Sequence, residues 1–397
     1  MKLVFVNRFF FPDHSATSQM LSDAAFFLAE RGHEVHVVTS RLTYDGGDPL
    51  PALETVNGVV IHRLWTTRFG RASLPGRSVD YLSFYVAVFF SLLRLLDPED
   101  RVIAKTDPPL VSVPVGWAAR IRGAEHYNWL QDLFPEVAVE LGVFIPRPVV
   151  GLLCWLRDGS ILKAANNIAI GELMRDRILK LGACTDRAVV IPNWADGESI
   201  QPDQGLNLLR DTWHLGNRFV VGYSGNLGRA HEIETLLGAM RELKDNDDIC
   251  FLMIGGGALM KKLKGAAASE NLSNVVFKPY QPRELLPQSL TLPDVHITIL
   301  KPELEGLILP SKIYGVLAAG RPGIFIGDTG GEVGELLRSR KAGVALASGD
   351  VAGLVSAIQK LKDNAEARES MAANARRYFD DELGAPRSLA QMEQVLC

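Results

Sequence analysis

Leu3-Val4-Phe5-Val6, a loop from Asn7 to Ser15, the stretch Gln19 to Arg31, and then Gly32-His33-Glu34-Val35-His36-Val37-Val38-Thr39 decide the fold class. The first run is short, apolar and β-branched, as a buried strand is. Gln19 to Arg31 places Met20, Leu21, Ala24, Phe27 and Leu28 at helical spacing. Gly32 stops that helix, and the run to Thr39 reads as a second strand. Strand, helix, strand in so few residues predicts a βαβ unit, hence a parallel sheet with a right-handed crossover. Further strands are expected at Val59 to Leu64, Arg101 to Lys105 and His126 to Leu130.

The second half repeats this pattern without repeating the sequence. Strands are predicted at Phe219 to Ser224, Cys250 to Ile254, Val275 to Pro279, Val295 to Leu300, Gly323 to Ile326 and Gly343 to Ala347. Helical patterns fall at Glu232 to Leu243, Leu259 to Ala268, Ser311 to Ala319, Gly331 to Arg338 and Val351 to Lys362. This is the alternation of a doubly wound α/β sheet. Pro, Asn, Asp and Gly cluster between Pro192 and Leu206, where the two halves are expected to join.

A length of 397 residues fits two such domains. Apolar residues make up 47% and charged residues 22%, an ordinary globular balance. Forty-two Lys and Arg against 46 Asp and Glu give a net charge of −4 with no basic block, which excludes nucleic acid as the main partner. Cys154, Cys184, Cys250 and Cys397 are far apart, so neither zinc nor a disulfide framework is expected and a reducing cytoplasm fits best. The N-terminal apolar run is too short for a signal peptide. The longest apolar stretch, Tyr81 to Leu96, falls short of the roughly 20 residues of a spanning helix.

Three loops after strands carry candidate chemistry. Phe11-Pro12-Asp13-His14-Ser15-Ala16-Thr17-Ser18 opens a helix whose first N–H groups suit an anion or sugar oxygen; capping by Ser15 or Thr17 is the plainer reading. No Gly-x-Gly-x-x-Gly is present there. In Tyr223-Ser224-Gly225-Asn226-Leu227-Gly228-Arg229-Ala230-His231, the glycines admit a ligand close to the backbone and Arg229 suits a diphosphate. In Lys301 to Pro322, Glu303 and Glu305 precede Gly306 and a helix opening with Ser311 and Lys312, which suits sugar hydroxyls beside phosphates. A structural turn and a capped polar loop are the alternatives at these two sites.

In order and spacing these motifs resemble the retaining nucleotide-sugar glycosyltransferases of family 4. The resemblance runs through Arg31 to Val35, Ile191-Pro192-Asn193-Trp194-Ala195-Asp196, the Ser224 to Arg229 loop, Ile254-Gly255-Gly256-Gly257, and Pro310-Ser311-Lys312 to Arg321-Pro322. Pro12 to Gln19 and Trp129-Leu130-Gln131-Asp132-Leu133-Phe134-Pro135-Glu136 are more narrowly similar to bacterial exopolysaccharide and O-antigen enzymes of the colanic-acid and fucosamine-transferase type. The resemblance implies the GT-B fold, two facing Rossmann-like domains with a cleft between them. Residues 1–195 would bind the acceptor, 196–380 the nucleotide sugar, and 381–397 would return as a helix to the first domain.

The departures are informative. Many members carry two glutamates seven residues apart, and Gly315 stands where the second would be, with Glu332 as a substitute. Asn226 and His231 replace the usual Arg and Lys of the phosphate loop, leaving Arg229 and Lys312 as its cations. Small residues from Ser15 to Ser18 replace a Gly-Gly pair, and Gln131 aligns with a common His. The roles implied are a diphosphate held by Arg229 and Lys312, a donor sugar held by Glu305 and the Gly306 and Leu307 amides, and an acceptor oriented by Asp132 or Glu136. Gly225, Asn226, Gly228, His231, Gly255, Tyr280, Gln281, Ser311 and Glu332 would complete the donor site, and His14, Ser15, Ala16, Thr17 and Gln131 the acceptor site.

The expected donor is a UDP- or GDP-sugar and the acceptor a glycan or polyprenyl-diphosphate-linked saccharide, without metal or other cofactor. Competing readings are an inactive nucleotide-sugar-binding subunit, a GT-B enzyme acting on a small-molecule acceptor, and a GT-B epimerase or phosphorylase. Tyr81 to Leu96 and Val149 to Leu162 read as core helices first and as a membrane-contacting surface second, with Arg68, Arg71, Arg77, Arg147 and Arg157 available to anionic headgroups at the inner face of the cell membrane.

Overall fold

The computed structural model describes all residues except 45, 71–73 and 203–206. Arg71 and the end of the expected join, Leu206, lie outside the described residues. The chain forms two compact units, Met1–Pro192 with Leu389–Cys397, and Asn193–Ser388.

Unit 1 runs β1 (Lys2–Val6), α1 (Ala16–Glu30), β2 (Glu34–Ser40), β3 (Leu53–Val56), β4 (Val59–Leu64), α2 (Leu74–Leu95), β5 (Arg101–Lys105), α3 (Ser112–Arg122), β6 (Glu125–Trp129), α4 (Glu136–Glu140), α5 (Arg147–Lys163), β7 (Asn166–Ala169), α6 (Glu172–Lys180) and β8 (Ala188–Val190). Its sheet order is β3-β4-β2-β1-β5-β6-β7-β8, parallel throughout except for β3 against β4. Gly32, with φ of 90°, ends α1 in a conformation that costs any other residue energy. The β3–β4 hairpin is absent from the sequence reading, although Asn57-Gly58 with positive φ at both positions is a hairpin turn signal. The short strands β7 and β8 are likewise additional.

Parallel strands alternate their side chains between two covered faces. Val4, Val6, Val102 and Ala104 pack against Phe84, Val88 and Leu92 of α2 and Val115, Ala118 and Ala119 of α3. Helix α2 begins before the expected Tyr81, and the 21 residues Pro75–Leu95 are long and apolar enough by composition to cross a membrane, with 22% of its 18-residue apolar window buried. Its inner residues cover the sheet, while Val79, Leu82, Val86 and Phe90 on the other face are exposed. The expectation of a core helix therefore describes one face of α2 only.

Unit 2 runs α7 (Leu208–Thr212), β9 (Phe219–Asn226), α8 (Glu234–Glu242), β10 (Ile249–Gly256), α9 (Ala258–Ser269), β11 (Val275–Lys278), α10 (Leu286–Thr291), β12 (Val295–Ile299), α11 (Lys312–Ala318), β13 (Gly323–Ile326), α12 (Glu332–Ser339), β14 (Gly343–Leu346), α13 (Val351–Asp363) and α14 (Ala365–Tyr378). The fully parallel order β11-β10-β9-β12-β13-β14 reverses direction at β9, the switch point at which such sheets bind ligands. Its core joins Val221, Tyr223, Phe251, Met253, Ile297 and Ile324 to Leu236, Leu263 and Ile358 on the covering helices.

The last helix, α15 (Ala385–Leu396), enters unit 1 from Leu389 onward. There Met392 and Leu396 are fully buried, Glu393 lies 2.9 Å from His33 Nε2, and Arg101 donates to the Leu396 carbonyl at 2.6 Å. Met392→Ala is expected to lower the stability of unit 1 by about 2–5 kcal/mol, measured by urea unfolding, because truncating a buried Met leaves a cavity.

Candidate functional site

The carboxyl end of β9 is built around a backbone approach that only glycine permits. Gly225 pairs with Gly255 across β9 and β10, and a Cβ at Gly255, where φ is 119°, would meet the Gly225 carbonyl at 2.2 Å. The loop that follows carries Asn226, Gly228, Arg229 and His231 before α8.

Lys312, the first residue of α11, reaches this loop. Its ammonium donates to Tyr223 Oη at 2.7 Å, lies 2.9 Å from His231 Nε2 and 4.5 Å from the Tyr223 ring centroid. Its stem passes Gly225, where an added Cβ would stand 3.4 Å from Lys312 Cε. The Gly228 amide and carbonyl both lie near His231 Nδ1, at 3.2 and 3.1 Å, and a charged Lys312 selects between them. Tyr223 donates to the Asn226 carbonyl at 3.0 Å and accepts from Lys312. His231 accepts from Lys312 through Nε2, so Nδ1 carries the hydrogen and donates to the Gly228 carbonyl at 3.1 Å.

Burial, and then the neighbouring Lys312, push the His231 pKa down to about 3, so it stays neutral. Burial pushes Lys312 down to about 7. Lys312 keeps part of its surface in solvent, and its two side-chain partners here are neutral rings. A cation held this way lacks the counter-charge that an incoming phosphate supplies.

Glu305 is buried, and its Oε2 accepts from the Glu332 amide at 3.3 Å. It packs over Gly331, where a Cβ would fall 2.4 Å from its carboxyl carbon. Glu332 itself begins α12. The Leu307 amide, expected to hold a donor sugar, is already bonded to the Leu304 carbonyl at 2.9 Å because the chain turns there, while Gly306 takes a φ of 71°. Exposed Tyr280 lies over Gly256, whose added Cβ would meet the ring at 3.1 Å. Gln281 folds back onto the Pro279 carbonyl at 2.8 Å, and Ser311 is exposed with no side-chain cap bond to α11. Arg229 is exposed and has no ion pair among the described residues. The structure thus brings together Gly225, Gly255, His231 and Lys312, and separately Glu305 with Glu332. Tyr223 is the member of the first group that sequence reasoning left without a role; its interior register in β9 points it at the same loop.

In unit 1 the loop after β1 is organised by Asp13. Its Oδ1 accepts from the Ser15 amide at 2.8 Å and its Oδ2 from the Tyr44 amide. Ser15 occupies the N-cap position of α1 without a cap bond and Thr17 lies inside the helix, so neither caps it by side chain. His14 and Ala16 are exposed. After β6, Asp132 Oδ1 is buried without a hydrogen-bond partner, and burial with nearby Asp107 raises the Asp132 pKa to about 7. Gln131 is half-buried beside it. Glu136 is held by Arg157 through bonds of 2.9 and 2.6 Å. That pairing also removes buried Arg157 from the cations expected to face a membrane. Two groups at these strand ends were not anticipated. Arg8 lies 3.7 Å from Asp80, and buried Lys105 places its ammonium 3.3 Å from the Trp129 ring centroid.

Among the described residues, no three His, Cys, Asp or Glu side chains are grouped to hold a metal ion.

Two parallel-sheet α/β domains with loops of this kind define a GT-B glycosyltransferase. Residues 19–194 match the glycosyl transferase 4-like domain and residues 209–378 the glycosyl transferases group 1 domain. The chain belongs to glycosyltransferase family 4. It is similar to the putative colanic acid biosynthesis glycosyl transferase WcaI of Escherichia coli, 26% identical over 390 residues and covering 93% of this chain and 95% of that one. Among solved structures it resembles sucrose-phosphate synthase from Thermosynechococcus elongatus, with a TM-score of 0.79, 17% identity, and 100% and 98% of the two chains covered. It also resembles Anabaena HepE in complex with UDP-glucose, with a TM-score of 0.75, 16% identity, and 100% and 99% covered.

Lys312→Met is expected to stabilise the ligand-free protein in a pH-dependent way. The folded-state pKa lies below the ordinary lysine value of 10.5, so below about pH 7 the buried ammonium is charged and opposes folding in full. That opposition fades as pH rises from 7 and is gone above 10.5. The gain in Tm should be largest at pH 6 and shrink steadily through pH 9.

Proposed function

We propose that this glycosyltransferase moves a sugar from a UDP- or GDP-sugar to a glycan or polyprenyl-diphosphate-linked saccharide, with retention of anomeric configuration, in bacterial surface polysaccharide assembly. The observation that carries the reading is Lys312, drawn into the β9 loop among neutral partners and beside a glycine that lets a ligand touch the backbone. A diphosphate is the anion that fits. UDP-glucose in the HepE structure and the colanic-acid role in the WcaI name support the donor and pathway classes.

In this reading Lys312 and Arg229 hold the diphosphate and stabilise the charge that grows as the glycosidic bond breaks, the term that dominates such transfers. Glu305, fixed over Gly331, binds donor-sugar hydroxyls, and Glu332 takes the place of the glutamate missing at Gly315. Asp132 orients the acceptor hydroxyl; Glu136, already engaged by Arg157, supports the loop instead. The leaving diphosphate assists deprotonation of the acceptor, so no enzyme nucleophile is required. Peripheral contact with a membrane belongs to the same proposal. It is supported by the exposed apolar faces of α2 and of α5, where Val149, Leu152, Trp155 and Leu162 point outward.

Incubation with a panel of nucleotide sugars and detection of released UDP or GDP tests the reading. Binding without release would favour an inactive subunit. Arg229→Ala is expected to lower turnover by about a hundredfold or more, and near-normal turnover with an intact fold would refute its role.

Asp132 is protonated below its pKa of about 7 and ionised above it. With acceptor limiting, kcat/KM should therefore rise as pH passes upward through 7, and Asp132→Asn should abolish that limb.

A further inference from the structure

A groove of about 1270 Å³ lies between α3 and α5 on the face of unit 1 that also carries α2. Nothing in the proposed transfer uses it. Trp117 and Trp155 stand at its walls 56% and 70% exposed, whereas polar His126 and Ser160 are buried beneath them among Val113 and Ala119. His126 is 7% exposed, and its Nε2 is buried without a hydrogen-bond partner. A side-chain bond to Asn128 steadies the ring, and burial lowers its pKa to about 4, so it is neutral. Ser160, from α5, donates to Asn128 at 3.4 Å.

The charges lining the groove are unequal in availability. Glu125 is engaged by Arg101 at 3.1 Å and by the Tyr127 hydroxyl at 2.9 Å, and Asp158 by Arg157 at 2.6 Å. Arg120, Lys163 and Arg187 are exposed and have no ion-pair partner among the described residues. The groove therefore offers three uncompensated cations, an unfilled polar atom in its floor and two tryptophans at its rim. Around it, Ile121, Leu152 and Leu162 are 65%, 54% and 46% exposed. An isolated hydrocarbon chain would leave His126 and the cations unsatisfied. A soluble anion would gain nothing from the apolar rim.

We infer that the α3–α5 groove binds the phosphodiester headgroup of an acidic glycerophospholipid in a bilayer, with its hydroxyls over His126, its phosphate among Arg120, Lys163 and Arg187, and its glycerol and upper acyl chains between Trp117 and Trp155. Tryptophans at the level of the headgroups and basic residues beside them are what an interfacial surface requires. The inference rests on the membrane contact proposed above and specifies the lipid that the contact reads.

Co-sedimentation of the full chain with vesicles of phosphatidylcholine alone, and of phosphatidylcholine mixed with phosphatidylglycerol, tests it. Binding is expected on the mixed vesicles, with a blue shift of tryptophan emission that Trp117→Ser with Trp155→Ser removes. Replacing Arg120, Lys163 and Arg187 together by Gln should weaken that binding about a hundredfold, at roughly fivefold per basic residue. All three are exposed, so release of UDP or GDP from a donor in the absence of vesicles should be unchanged. Equal binding to both vesicles, undiminished by the triple variant, would overturn the headgroup site while leaving membrane contact intact. Absence of binding to either would overturn both. Displacement of the protein from vesicles by soluble glycerol phosphate would overturn the bilayer as the source of the ligand. Failure of wild-type nucleotide release would count against the transferase reading alone.

Discussion

Parallel strands cannot be joined by tight turns, so apart from the β3–β4 hairpin each successive strand of these two sheets is reached by a segment that crosses over one face. Each sheet reverses the direction of its crossovers once, at β1 in unit 1 and at β9 in unit 2. At those reversals the loops part and the strand ends stay open. The functional candidates collect at strand ends: Asp13 after β1, Asp132 after β6, Gly225 at the end of β9 with the loop to His231, and Gly255 at the end of β10. Covering both faces also determines which helices exist. Helices α2, α3 and α5 lie over one face of the unit 1 sheet because Val4, Val6, Val102 and their neighbours must be buried there.

What was legible in the sequence follows from the range of the signals. Alternation of short apolar runs with helical periodicity is local, and it placed the six strands of unit 2 within a residue or two of their ends. Strands β7 and β8 are four and three residues long; Asn166 and Asn167 fill the start of β7, and the apolar run of β8, Ala188-Val189-Val190, is too short to stand out from its surroundings. At the sites, residue types were legible and partners were not. Lys312 could be named as a cation from its helix-opening position, but Tyr223 and His231 stand 89 and 81 residues away and meet it only through the sheet. The same distance problem hid the Arg157–Glu136 pair, which removes one residue from the acceptor list and another from the membrane list. The Leu307 amide was misread because a glycine-rich turn advertises free amides that the fold can also consume.

The resemblance expects a lysine where the loop after β9 carries His231. That ring is neutral, Arg229 is the loop's own exposed cation, and the ammonium that His231 meets comes from α11. His231 is neutral because it is buried beside Lys312, and Lys312 is depressed because it is buried beside neutral groups. Lys312 thus helps to keep His231 from adding a second buried charge. The arrangement is therefore tolerable when empty, and in the proposed reading a bound phosphate would supply the counter-charge and restore the full ammonium. Both rings meet the ammonium with lone-pair acceptors, so neither competes with the ligand as a charge.

The outer surface of unit 1 poses the opposite problem. A soluble α/β unit would put polar residues on the outward faces of α2 and α5, yet α2 is apolar on both sides and α5 buries Arg157 and Ser160 while exposing Trp155 and Leu152. The inversion in α5 has a local cause. Arg157 must turn inward to hold Glu136 and the Phe134 carbonyl, and Ser160 must meet Asn128, which leaves the opposite face of the helix to the apolar residues. In α2 the inward polar demand ends early: buried Asp80 accepts from the Thr67 hydroxyl and from the Phe69 and Gly70 amides, and beyond it Phe84, Val88 and Leu92 fill the inner face without using Leu82, Val86 or Phe90. Exposed apolar groups that packing does not require, on neighbouring helices and beside unpaired cations, are the features on which the proposed contact with an apolar and anionic neighbour rests.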